Sequence, residues 1–149
     1  MTREVTAPDW FDDRLRVAVN PFSPRIVGLQ LMRSTFSFLA EDEPEEEDFD
    51  FSIASHPPTD DGVVLLVADL FGVSNQQLVG VGVECAVACT RAGEIDRDIL
   101  TALSYWAAHL CYDFAASCLK TIIAPNSRFD GWAPPMYPEE IFTEIHQQH

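Results

Sequence analysis

Apolar residues alternate with polar or small ones in four stretches between positions 25 and 90, and then recur at helical spacing from about 96 to 124. Residues 25–39 predict a long strand. Val27, Leu29 and Leu31 share one parity, while Met32, Phe36 and Phe38 share the other. Either both faces are covered, or a bulge near Arg33 switches the face. Phe49, Phe51 and Ile53 alternate as a short second strand. A loop follows over 56–62, with Asp61-Gly62 as its turn signal. Residues 63–73 (VVLLVADLFGV) are nearly all apolar, the pattern of a strand covered on both faces. In the fourth strand, 78–90, the odd positions Val79 to Cys89 are apolar. The even ones, Gly80, Gly82, Glu84, Ala86 and Ala88, are mostly small, a face that another layer can approach closely.

The helical stretch has Asp96 or Asp98 near its start and Lys120 near its end, as the helix dipole prefers. It is apolar almost all round, so one sheet cannot cover it, and the remainder must meet another subunit, segment or ligand. Pro125 stops it, and a loop rich in Pro and aromatics runs to 138. Pro138-Glu139-Glu140 then reads as the opening of a short last helix. At the other end, residues 8–18 suit a short helix docked by Trp10, Leu15 and Val17, and residues 20–24 (NPFSP) break it. The expected fold is α+β: a four-stranded antiparallel sheet packed on one long helix, plus a short C-terminal helix. Residues 1–24 form an N-terminal extension and 25–149 the α+β domain.

Charge narrows the function. With 24 acids against 9 bases and a net charge of −15, the chain is a poor match for nucleic acid or an anionic membrane surface, both of which call for clustered Lys and Arg. It favours solubility and a basic partner. The acidic run 41–50 reads as a solvated loop. No run of 18 apolar residues predicts a membrane span. Met1-Thr2-Arg3-Glu4 carries no apolar signal segment, so a cytoplasmic, reducing location with free thiols is the expectation. Cys85, Cys89, Cys111 and Cys118 lie within apolar elements and not in the tight loop pairs that bind zinc, so they read as core. His56, His109, His146 and His149 share no ligand spacing, and His109 two residues before Cys111 points away from it on a helix. No phosphate loop or nucleophile elbow is present, and the expectation is a protein without catalysis, metal or cofactor.

Three segments carry a likeness to a known family. Gln30 to Phe38 (QLMRSTFSF) has a basic residue followed by alternation with Phe. Cys111 to Leu119 (CYDFAASCL) lies on the long helix, and Trp132 to Tyr137 (WAPPMY) with Ile141-Phe142 closes the chain. In this order and spacing, residues 25–148 resemble the SecB family of export chaperones. The departures are specific: Asp113-Phe114-Ala115-Ala116-Ser117 stands where the family has Pro-Tyr-Ala-Arg-Glu. The resemblance implies an ATP-independent homo-oligomer, a dimer or tetramer, that holds non-native polypeptides in apolar grooves. It implies polypeptide-binding roles for Phe36, Phe38, Trp132, Pro134 and Tyr137. It also implies contact with the SecA motor through acidic residues, of which Glu84 is kept while Thr35 and Leu39 stand at the first-strand positions. An alternative within the same fold is an adaptor for one specific partner, of toxin–antitoxin or phage type.

Overall fold

The computed structural model describes residues 17–38, 48–74, 77–123, 134–135, 137–138 and 141–147, with Phe38, Asp48, Ser74 and 142–147 described by their backbone. The strands are β1 (Arg25–Phe38), β2 (Asp48–Ser55), β3 (Val63–Ser74), β4 (Gln77–Ala88) and β5 (Phe142–Gln147), and the long helix α1 is Arg97–Ile123. They form one sheet in the order β1-β4-β3-β2-β5, with α1 lying on one face. The first four strands are antiparallel. This is the expected four-stranded antiparallel sheet on one long helix.

The inner face follows from period two. Val79, Val81, Val83, Cys85 and Val87 of β4 are fully buried against α1. Their partners on β3 (Val64, Leu66, Ala68 and Leu70) are buried too, as are Phe51 and Ile53 of β2. The alternate residues of β3 are only half-buried, so its outer face is partly open, unlike the strand covered on both sides that its apolar run predicts.

β1 settles its own parity puzzle with two bulges. The register slips between Ile26 and Gly28 and again between Leu31 and Arg33, leaving Val27 and Met32 as extra residues. As a result Ile26, Leu29, Leu31 and Phe36 all stand opposite inner-face residues of β4: Val87, Cys85, Val83 and Val79.

The small face of β4 is filled from within the sheet. The Phe71 ring lies over Gly80, where an added Cβ would sit 2.3 Å from a ring carbon. Over Gly82, Arg33 reaches across from β1 to form an ion pair with Asp69 of β3. The same guanidinium stands 5.9 Å from the centre of the Phe71 ring, a cation–π contact. Between β2 and β3, Gly62 takes φ +81° and supplies the turn that its pairing with Asp61 predicts.

Asp96 caps α1: its Oδ1 accepts from the Ile99 amide at 2.9 Å, and its carbonyl accepts from Leu100 at 3.0 Å. The helix then runs 27 residues, roughly 40 Å at 1.5 Å per residue.

Two further expectations are corrected. The short last helix expected after Pro138 does not extend over Phe142–Gln147. Phe142–Gln147 is a strand, and it pairs parallel with β2. A helix of so few residues is marginal by itself, whereas the outer edge of β2 offers a ready ladder of hydrogen bonds. The N-terminal segment docks through Val19 and Phe22, both buried, while Val17 is exposed. The break at Asn20–Phe22 is a 3-10 turn ending in left-handed Ser23 (φ 45°), and it ties the segment to the sheet: the Thr90 amide donates to the Phe22 carbonyl at 2.8 Å. Trp10, Leu15 and residues 41–47 of the acidic run lie outside the described residues.

Candidate functional site

Because β1 is the sheet's edge, α1 does not reach across it. The helix-facing row of β1 therefore stays open: Ile26, Leu31 and Phe36 are exposed, Phe36 by 44%, and the bulged Val27 and Met32 are more than half exposed. From the other side, α1 offers Trp106, half-buried, and Leu110, 40% exposed. Ile26, Trp106, Ala107 and Leu110 bound a cavity of about 270 Å³ at the base of this trough. Soluble monomers scatter exposed apolar side chains singly, whereas here a row of them runs along one edge strand, with Leu110 of the helix exposed as well. Among the large apolar side chains of α1, Leu110 alone is exposed, so the chain covers most of a helix whose all-round apolar character predicted a further partner.

A second hollow, of about 500 Å³, lies beside another part of α1. Tyr112, Asp113, Ala116, Ser117 and Lys120 line it from the helix, and Pro134 and Pro135 close it. Tyr112 holds this arrangement. Its ring stands edge-on to Phe51 of β2 at 5.2 Å, and its hydroxyl donates to the Pro135 carbonyl. At 100° per residue the helix residues lining the two hollows centre roughly 95° apart, so the hollows lie on different sides of α1 without being opposed.

The expected polypeptide-binding residues divide between these places. Phe36 belongs to the β1 row. Phe38 is paired through its backbone with Gln77. Pro134 is buried beside Tyr112, and Tyr137 is 55% exposed. Trp132 lies outside the described residues. Sequence reasoning missed Ile26, Leu31, Met32 and Leu110. The signals that could have found them were the parity change at Leu31-Met32 and the all-round apolar helix.

Glu84 is on the outer face, half-buried, and accepts from the Gln30 side-chain amide at 3.2 Å. Thr35 stands opposite Gly80 on the same face, and Leu39 lies outside the described residues. Cys85 and Cys111 are buried and meet across the β4–α1 interface. Their mutual hydrogen bond, with burial, pushes the Cys111 thiol far above its usual range. That bond lowers Cys85, against its own burial. Burial alone raises the half-buried Cys89 and Cys118. His56 follows β2, His109 is on α1 and His146 is on β5, so the three do not share an element. Among the described residues, no three His, Cys, Asp or Glu side chains converge as a metal site would require, and no helix is long and apolar enough to cross a membrane.

The same architecture occurs in a solved structure. The SecB-like chaperone Rv1957 of Mycobacterium tuberculosis, in complex with a ChAD peptide from the HigA1 antitoxin Rv1956, is similar over 76% of this chain and 91% of its own, with a TM-score of 0.56 at 12% identity. The chain therefore has a SecB-like α+β fold, and its β5 lies beside β2 at the edge of the sheet. A protein of unknown function from Streptococcus agalactiae covers 69% of this chain and 92% of its own at 12% identity, but its TM-score of 0.34 is too low to carry an argument. No family model matches the chain, and no curated protein does.

Proposed function

We propose that this chain is a SecB-like chaperone that captures extended, non-native polypeptides, working as a dimer or tetramer of itself. The observation that carries the reading is the apolar trough between β1 and α1, where Ile26, Leu31, Phe36 and Leu110 stay exposed. These side chains are 37–46% exposed, so covering each stabilises a complex by about two-fifths of the roughly 1.5–3 kcal/mol that full burial gives, and the four together contribute roughly 2.5–5 kcal/mol towards an apolar partner. The chain's charge of −15 adds a preference for basic clients. That the similar Rv1957 was solved with a bound peptide supports a polypeptide as the ligand.

The experiment is light scattering on the purified protein, with and without a reduced, carboxymethylated client, alongside suppression of aggregation of a denatured test protein. The expected result is a mass of two or four times 16.7 kDa that rises with client. Leu110→Glu with Phe36→Glu should abolish client uptake while leaving the far-ultraviolet spectrum unchanged. A stable monomer that suppresses no aggregation would sink the proposal.

A second reading keeps the fold but gives it one dedicated partner. It is favoured by the peptide on Rv1957, which comes from one antitoxin. Co-purification separates the two: one stoichiometric partner supports the adaptor, many clients support the chaperone. Contact with a SecA-like motor is assigned to Glu84, and binding that survives Glu84→Lys undiminished would remove that assignment.

A further inference from the structure

One strand breaks the pattern of the sheet. Every pair from β1 to β4 is antiparallel, whereas β5 runs parallel to β2. It is six residues long, lies at the sheet's edge, and is bonded within the sheet through β2 alone. Its ladder is also irregular. Phe142 stands opposite Phe51 and Glu144 opposite Ser52, so Thr143 is an extra residue before regular pairing resumes at Ile53 with Ile145. Parallel pairs are slightly weaker per residue than antiparallel ones, and short edge elements open at lower free energy than central strands. The chain enters β5 by a tight turn, in which the Ile141 amide donates to the Pro138 carbonyl at 3.0 Å and the Phe51 amide to the Ile141 carbonyl at 3.3 Å.

Without β5, β2 would present a free row of amides and carbonyls from Phe51 to Ser55, next to the Phe51–Tyr112 aromatic pair. An edge of that kind is completed by an extended polypeptide, because only a main chain can supply matching donors and acceptors along its length.

We infer that β5 is a built-in occupant of a strand-acceptor edge on β2, displaced when an extended segment of another polypeptide adds there. The inference rests on the polypeptide-binding reading and gives it a second acceptor, distinct from the β1–α1 trough. Its occupant can be described chemically. Side chains toward α1 would neighbour Phe51 and Ile53, both fully buried, and must be apolar. Those on the other face would neighbour Asp50, Ser52 and Ala54, and in a chain of net charge −15 they favour neutral or basic residues. Exchange disturbs one ladder of the sheet, since among the described strands β5 pairs with β2 alone.

Two variants test this, with two probes. One variant ends at Ile141. The other carries Ala54→Cys and His146→Cys, which are partners in the β2–β5 register, so that oxidation locks the strand in place. The probes are a fluorescent peptide of the chain's own residues 141–149 and a reduced, carboxymethylated protein. A tethered segment competes at an effective concentration near the millimolar range, so the shortened chain should bind the peptide at least about tenfold tighter than the full chain does. It should hold the unfolded protein more tightly as well. The locked chain should lose peptide binding and regain it on reduction.

A folded short chain that ignores the peptide overturns the inference. So does a locked chain that holds unfolded protein as well as its reduced form, and in that case polypeptide binding survives and belongs to the trough alone. If no version holds the unfolded protein while the peptide still adds to the short chain, the proposed function falls and takes the client with it. Should the shortened chain lose its circular dichroism signal, the oxidised and reduced forms of the locked chain decide the matter between them.

Discussion

Gly80 is the residue on which the outer face of the sheet depends. The Phe71 ring occupies the space a side chain would need, and the clash falls on a rigid ring already packed against the strand. Gly80→Ala should lower stability by about 1–3 kcal/mol, the usual cost of overpacking, read from the urea midpoint. Gly82→Ala is the control, because an added Cβ there meets the ends of Asp69 and Arg33, 3.0 and 3.3 Å away, which can give. Equal losses at the two positions would refute the ring-contact argument. Cys111 carries a prediction of a different kind. Its folded pKa lies above the ordinary 9.0, raised by the hydrogen bond with Cys85 and by burial. Below pH 9 the thiol is neutral in both states and its contribution is fully present; above it, the unfolded chain ionises while the folded one does not. Thermal stability should therefore fall as pH rises past 9, and Cys111→Ala should flatten that fall.

At the scale of elements, Tyr112 is the pin between α1, β2 and the segment after the helix. Tyr112→Phe keeps the edge-on contact with Phe51 and deletes the bond to Pro135. The expected loss is about 0.5–1.5 kcal/mol in thermal unfolding, the net worth of one hydrogen bond. Faster amide exchange at Tyr137 should accompany it, with α1 unchanged; exchange that rises along α1 instead would mean the tyrosine serves the helix and not the segment. β1 shows how an element can be built for exposure. Its bulges at Val27 and Met32 keep Ile26, Leu31 and Phe36 on the helix side, and its place at the sheet's edge keeps them partly exposed. Bulges also twist an edge strand and limit indiscriminate pairing along its length.

At the scale of the whole molecule, the charge of −15 acts in opposite senses on the two associations proposed. Copies of the chain repel one another, while a basic client is attracted. Raising ionic strength from about 0.05 to 0.5 M shortens the screening length from roughly 14 to 4 Å and weakens both effects. Self-association should strengthen with salt and capture of a basic client should weaken, each read by light scattering or fluorescence anisotropy. Capture that is indifferent to salt would place the client's recognition wholly in apolar contacts.

Periodic and local signals were legible from the residues alone. Alternation located the four antiparallel strands, the even positions of 78–90 showed a small face, Asp96 or Asp98 bracketed the helix start, and the parity change beside Arg33 left a bulge as one of two readings, the one the register takes. These depend on neighbours a few residues apart, and physics at that range is written along the chain. The tertiary structure alone decided the rest. Phe142–Gln147 carries the Pro and acidic signals of a helix before it, yet becomes a strand because β2, some ninety residues earlier, has an open edge. Cys85 meets Cys111 only because β4 lies under α1. The trough exists because the strand order puts β1 at the edge, beyond the reach of a single helix. Which apolar side chains are left uncovered is set by the order of strands in the sheet, and alternation along any one strand cannot encode it.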